Sequence, residues 1–233
     1  MFKLIKARVK FIILTMLGFY IIACSSQEYT TAKLAIQQSE WSKAEEWLPK
    51  AMAVEPDNPE IPIVYAIEVH ARNGDWQGMY DMFQKALAID ANKKVEIRAV
   101  FLPVSEQVNN YTQYYWAEEF NKGVEKFKEI QEDPDNRKIY LGEAIEYFMS
   151  ASIINPNDPQ TYTTLSKCYL DLDDKDNAMK FIKTAVEKDP EGFNSNFSAG
   201  QILLRCGMGS EVVIPYYEKA VQIEPSNSNA LRE

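Results

Sequence analysis

The chain has 233 residues, with 25 Lys and Arg against 34 Asp and Glu, a formal net charge of −9, one histidine and three cysteines. An acidic balance of this size argues against nucleic acid or anionic lipid headgroups as partners, and one histidine cannot build a multi-histidine metal centre. The length suffices for one domain with a sizeable core. The first residues read as a targeting segment: Lys3, Lys6, Arg8 and Lys10 form a positive start, and Phe11 to Ile22 is an apolar run that ends at Ala23-Cys24. That run is shorter than the ~20 residues needed to span a bilayer. Losing the four cations with the leader takes the net charge from −9 to −13.

The residues Ile21-Ile22-Ala23-Cys24 resemble the lipobox of bacterial lipoproteins, with isoleucines in place of the more usual leucine and small residue. The resemblance implies cleavage of residues 1–23, a lipid on Cys24, and a short tether over residues 24–28. An uncleaved signal anchor is the alternative. Without an Asp directly after the cysteine, the resemblance also implies the outer membrane, with periplasmic and surface exposure both open. The expected location is the cell envelope, lipid-anchored and facing the periplasm.

From there the chain repeats itself. An apolar triad at spacing i, i+4, i+7, closed by alanine, occurs as Ala44-Leu48-Ala51, Met79-Phe83-Ala86, Ala144-Phe148-Ala151, Ala178-Ile182-Ala185 and Val213-Tyr217-Ala220. Such a triad occupies one helix face, and the alanine admits a neighbouring helix at close range. Five residues later stands Pro56, Ala91, Pro156, Pro190 or Pro225, where a proline ends the helix. Asn58-Pro59 and Asp158-Pro159 then restart it as a cap and a first-turn proline. Turns are predicted at Ser39-Glu40, Gly74-Asp75, Asp173-Asp174 and Gly207-Met208-Gly209. The period is 34 or 35 residues, except that Ala86 and Ala151 lie 65 apart. A period of this length marks a helical repeat array.

These residues resemble the tetratricopeptide repeat (TPR) family. Residues 159–192 fit best, through Tyr162, Leu165, Ser166, Tyr169, Ala178, Ile182, Ala185 and Pro190. Residues 25–92 supply units 1 and 2. Residues 93–158 supply an irregular helical segment and unit 3, whose first helix carries Trp116, Phe120 and Gly123. About nine residues are inserted near Glu132 to Leu141. Residues 159–233 supply units 4 and 5 and the start of a further helix, which either caps the array poorly or begins a longer one. The resemblance implies an all-α, right-handed solenoid of about five helix–turn–helix units. In the least regular stretch, Val95, Ile97, Val100, Phe101 and Leu102 before Pro103 are read as a short helix. Tyr111, Tyr114, Tyr115 and Trp116 then lie along a long helix, as packing or as an exposed aromatic patch.

A catalytic constellation is not visible. His70 lies between Val69 and Ala71 on a helix and reads as structural. The pairs Glu45-Glu46, Glu118-Glu119 and Asp173-Asp174 read as solvated faces. Asp133-Pro134-Asp135 and Asp171-Leu172-Asp173 lack the further oxygen ligands and the glycine of a calcium loop. Cys168 and Cys206 fall in adjacent repeats, as core residues or as a disulfide. Neither a cofactor nor enzymatic activity is expected.

In TPR proteins the first helix of each unit lines the concave face, where peptides commonly bind. By that resemblance the groove positions are Tyr29, Lys33 and Gln37; Val64, Glu68 and Arg72; Phe120, Val124 and Lys128; Thr163, Lys167 and Asp171; and Phe197, Gln201 and Arg205. Five cations and two anions give this stripe a net charge of +3, which suits an extended, acidic or carboxylate-ended peptide. Ordinary exposed helix cations are the alternative. The reading is a lipid-anchored scaffold for protein partners at the bacterial envelope. An assembly, secretion or pilus accessory lipoprotein and a glycan- or small-ligand-capturing lipoprotein are the alternatives.

Overall fold

The computed structural model describes residues 25–227. Among them are ten α-helices and one two-stranded sheet: α1 Gln27–Gln37, α2 Trp41–Val54, α3 Glu60–Tyr65, α4 Trp76–Asp90, β1 Lys94–Ile97, β2 Val100–Pro103, α5 Val104–Glu132, α6 Arg137–Ile154, α7 Pro159–Asp171, α8 Lys175–Lys188, α9 Phe193–Arg205 and α10 Ser210–Ile223. α3 continues through a π turn, Ala66–His70, and a 3-10 turn, Ala71–Asn73. Cys24 and the leader, and residues 228–233 of the expected last helix, lie outside the described residues. No described helix is long and apolar enough to cross a membrane.

The triads form the second helix of each pair, and every one of their residues is buried. Their closing alanines also end the helices. The N–H of Glu55, Asn155, Asp189 and Glu224 donates to the carbonyl of Ala51, Ala151, Ala185 and Ala220 at 2.8, 2.9, 3.1 and 3.0 Å, one residue before the proline. Where Ala91 replaces that proline, α4 runs one residue further, to Asp90. At each predicted turn one residue is left-handed: Ser39 (φ 59°), Gly74 (70°), Asp173 (62°) and Gly207 (88°). Three of these turns close alike, with Glu40 N–H on Ala35 O, Asp174 N–H on Tyr169 O and Met208 N–H on Leu203 O at 2.8–3.0 Å. That bond satisfies a carbonyl which the helix end leaves bare. Asp158 caps α7, accepting from the Thr161 N–H at 2.7 Å.

The chain forms two compact units. The first holds the chain up to Gly74 together with Met82–Val104; the second holds Asp75–Asp81 and the chain from Ser105. The first unit's core joins Tyr29, Ala32, Leu48, Ile61 and Val69. In the second, one cluster centres on Phe120, Leu141, Phe148 and Leu165, and another on Ile182, Leu203 and Tyr217. Tyr162 and Tyr169 of α7 pack against both clusters, so this helix is shared between successive pairs, as stacked repeats require.

Three sequence expectations are corrected. The short helix over Val95–Leu102 is an antiparallel hairpin, with Val95 opposite Leu102 and Ile97 opposite Val100. Its physical reason is period 2: Val95 and Ile97 are buried, while Lys94 and Glu96 are exposed, a strand pattern in β-branched residues. The insertion after Glu132 is a 3-10 turn, Pro134–Asn136, and an added first turn of α6. The tether ends early, because Ser26 caps α1, accepting from the Tyr29 N–H at 3.1 Å, and Gln27 and Glu28 are already helical.

Candidate functional site

The expected groove residues separate into two groups. Tyr29, Phe120 and Phe197 face the core, not a groove. Tyr29 is buried with its hydroxyl donating to Glu60 Oε1 at 2.6 Å. Phe120 lies between the rings of Trp116 and Phe148, at 5.1 and 5.0 Å. Phe197 stacks on Phe193 at 5.5 Å and meets Tyr217 edge-on at 5.9 Å. The cause is geometric: at about 100° per residue, i to i+8 overshoots two turns by about 80°, so one stripe of this spacing does not keep a single direction, and the aromatic first members turn to the core. Glu68 is also buried, against Arg98 of the hairpin turn, and Val64 packs beside the first unit's core. Arg72 lies over the Trp41 ring at 3.5 Å. Lys33 lies over the Tyr29 ring at 4.3 Å. Gln37, Val124 and Lys128 are exposed.

The remaining candidates, Thr163, Lys167, Asp171, Gln201 and Arg205, come together over α7 and α9. Two cavities lie there, of about 550 Å³ and about 420 Å³, and Lys167 lines both. Their walls follow one line on each helix: Gln160, Thr164, Lys167 and Asp171 on α7; Asn194, Ser198, Gln201 and Arg205 on α9. Both lines have spacing 4-3-4, and each residue has its counterpart 34 positions on. This spacing holds a straight stripe on a helix. Sequence reasoning missed Gln160, Thr164, Asn194 and Ser198; the signal that finds them is that stripe, repeated at the period of the triads.

The two ends of the groove differ. At one end two guanidinium groups pair with a single carboxylate, with a lysine nearby. Arg137 Nη2 is 2.8 Å from Asp171 Oδ2, Arg205 Nη2 is 3.6 Å from Asp171 Oδ1, and Lys167 stands one turn away. Leu204, exposed, and Ile202 supply apolar wall. At the other end the lining is mostly uncharged and polar, with Thr163, Asn194, Ser195 and Ser198 beside Asp158 and Asp189. Asp158 is already engaged as the cap of α7, accepting from Thr161 Oγ1 at 2.6 Å as well.

The other candidate groups have structural partners. Asp173 makes the left-handed turn. Asp174 caps α8, and the side-chain and backbone hydrogen bonds from Asn177 hold its carboxyl below the usual aspartate range. Glu118 and Glu119 both pair with Lys122, at 3.3 and 2.6 Å. His70 stacks on Tyr65 at 4.5 Å. Cys168 and Cys206 are free thiols. Burial pushes the Cys168 thiol up to about 12, and pushes Cys206 up less. Among the described residues no group of three His, Cys, Asp or Glu could hold a metal ion.

Paired helices with buried, alanine-closed triads, repeated along the chain, define a helical-repeat protein. Residues 159–191, the α7–α8 pair, match the family model described as tetratricopeptide repeat. None of the curated proteins compared with the chain matches it. Among solved structures, the first TPR of Spaghetti (RPAP3) bound to an HSP90 peptide is 19% identical, covers 51% of this chain and 86% of that one, and has a TM-score of 0.44. MamA from Desulfovibrio magneticus RS-1 is 16% identical, with 88% and 99% covered and a TM-score of 0.40. YrrB, described as a TPR protein with an unusual peptide-binding site, is 18% identical, with 94% and 95% covered and a TM-score of 0.37.

Proposed function

We propose that this protein is a lipid-anchored scaffold at the bacterial cell envelope, on the outer membrane and facing the periplasm, that holds an extended segment of a partner protein along α7 and α9. The observation that carries the reading is the doubled 4-3-4 line, which lays amide, hydroxyl and cationic groups along one groove. An extended segment presents backbone groups to both lines at once. Helices of 13 residues are about 20 Å long, the span of about six extended residues. The excess of cations at the Asp171 end favours a carboxylate-bearing residue there.

Anchoring is supported by the lipobox-like residues ending at Cys24 and by the fold's early start. Ser26 caps α1 and its N–H donates to Glu55, so an acylated Cys24 would hold the first helix pair close to the membrane. Mass spectrometry of the envelope fraction tests this: a mature chain beginning at acylated Cys24 supports it, and an intact Met1 refutes it. For the groove, a photo-crosslinking residue at Gln201 in intact cells should capture protein partners, and K167E/R205E should abolish that capture. Unchanged capture would refute the basic end as a contact. A second reading, glycan capture, draws on the aromatic run: Trp76, Tyr111 and Tyr114 surround Tyr115 at 5.8, 6.5 and 5.0 Å, and Tyr114 is exposed. Envelope oligosaccharides that quench Trp76 fluorescence, and fail to do so in Y114A, would favour it.

A further inference from the structure

The hairpin β1–β2 behaves as a ligand built into its own chain. It leaves α4 through an Asp90 turn, whose Oδ1 accepts from the N–H groups of Asn92 and Lys93 at 3.0 and 3.1 Å. It is closed at its base by Val104 N–H on Lys93 O at 2.9 Å. β1 then lies against α3, the first helix of its pair, with Val95 and Ile97 turned inward and 4% and 2% exposed. At its tip Arg98 reaches Glu68 of the π turn, with Nε and Nη2 at 2.9 and 2.8 Å from Oε1. Glu68 is only 7% exposed, and the next cation, Arg72, stands 3.9 Å from its other oxygen. A carboxylate this deep must be paired to remain charged. The α3 side thus receives two apolar side chains two residues apart, Val95 and Ile97, with a buried carboxylate, Glu68, beyond them.

Two features bear on how firmly this occupant is held. The turn residues Arg98 and Ala99 both have positive φ, 49° and 64°, the geometry of a two-residue hairpin turn without the glycine or asparagine that adopts it freely. The face of β2 away from α3 is also poorly covered, with Phe101 62% exposed. We propose that the α3 face of the first unit is a second docking surface. It takes an extended segment of another protein with the pattern β-branched apolar, any residue, β-branched apolar, arginine, which displaces residues 95–98 and returns a guanidinium to Glu68. This surface does not depend on the groove over α7 and α9, and its test leaves that groove untouched.

The test uses the mature chain and a fluorescein-labelled decapeptide of residues 94–103, read by anisotropy. R98A should bind the peptide at least ten-fold more tightly than the wild type, whose own hairpin competes. R98A/E68Q should lose that gain, and a peptide with glutamate for its arginine should not bind R98A. Far-UV circular dichroism establishes that the variants are helical. A second measurement needs no variant: excess decapeptide should speed hydrogen exchange at the wild-type amides of Val95–Phe101. Binding by R98A no tighter than wild type, with exchange unchanged, overturns the proposal. So does a wild-type dimer that exchanges hairpins at micromolar concentration, since the face would then belong to a second copy.

Discussion

Gly200→Ala and Gly142→Ala are the same chemical change in two helices, and the structure requires opposite outcomes. A Cβ built on Gly200 of α9 would lie 2.6 Å from Cε1 and 2.7 Å from Cζ of Tyr217, the middle residue of the last triad. Carbon atoms sit comfortably at about 3.5–4 Å, so the ring must retreat by about 1 Å. It has little room to do so, being buried with Phe197 at its edge. Overpacking of this kind costs about 1–3 kcal/mol, and replacing a helical glycine by alanine returns about 1 kcal/mol. The net expectation is a loss of about 0–2 kcal/mol, a fall in Tm of up to about 8 °C for a domain of this size. Gly142 of α6 would meet nothing within 4 Å, so only the helix term remains and Gly142→Ala should gain about 0.5–1 kcal/mol. Urea titrations of both variants, with Y217L/G200A as the relieved double mutant, measure this. The double mutant should lose less than the sum of its parts. If both glycine variants shift the midpoint the same way, the close approach of α9 to α10 is not what fixes Gly200.

Three further outcomes follow from buried or bridging groups. Thr161 is fully buried and links two neighbours, accepting from Trp116 Nε1 at 2.9 Å and donating to Asp158 Oδ2 at 2.6 Å. Thr161→Val should cost about 1–3 kcal/mol by stranding the indole N–H, measured by urea titration, and a loss under 0.5 kcal/mol would refute that link. With its thiol pushed up to about 12 by burial, Cys168 should stay unmodified by a thiol reagent at pH 8 while half-buried Cys206 reacts. Mass spectrometry after tryptic digestion distinguishes them, and equal labelling of the native protein would contradict the packing of α7. Burial alone would raise the Glu55 carboxyl, but hydrogen bonds from Ser26 and Asn58 outweigh it and hold the group below 4.5. A lowered folded pKa contributes stability above the unfolded value and loses it as pH falls through the folded one. Wild-type Tm should therefore drop more steeply than that of Glu55→Gln as pH is lowered from 4.5, and parallel curves would exclude Glu55 as a contributor.

The pairing of helices was legible because it is written in residues that have few alternatives. An alanine at i+7 and a proline five residues on describe one helix face and one helix end, and the turns fall where Gly74, Asp173 and Gly207 stand. The groove was legible only in part. Lys167, Asp171, Gln201 and Arg205 were found by spacing, but the i+8 rule admitted Tyr29, Phe120 and Phe197, whose direction depends on which side the partner helix packs. A large aromatic on a first helix serves the core before it serves a ligand, because burying it is worth about 1.5–3 kcal/mol. Four small polar residues, Gln160, Thr164, Asn194 and Ser198, have no such demand and can be left to line the groove. The hairpin was misread because its second strand, Val100-Phe101-Leu102, is an unbroken apolar run without alternation, and its turn, Arg98-Ala99, carries neither glycine nor asparagine. Only the alternation of Lys94, Val95, Glu96 and Ile97 distinguishes it from a helix fragment.

The departure from the 34-residue period therefore has a local cause and a structural consequence. Pro56, Pro156 and Pro190 each follow a second helix and oblige the chain to turn into the next pair. After α4 the corresponding residue is Ala91, which imposes no such turn, and the chain folds back through Asp90 into β1 instead. The side chain that the hairpin brings to α3 is a cation, Arg98, and the residue it meets is Glu68, an inner-stripe position by the repeat pattern. In α7 the equivalent stripe is open, and its carboxylate Asp171 is met from neighbouring helices by Arg137 and Arg205. Both units thus solve the same electrostatic problem, an acidic residue on the inner stripe of a first helix, with arginines from elsewhere in the chain. In the second unit the guanidinium groups leave a cavity beside them. In the first, the arginine arrives at the tip of a hairpin that lies against the helix.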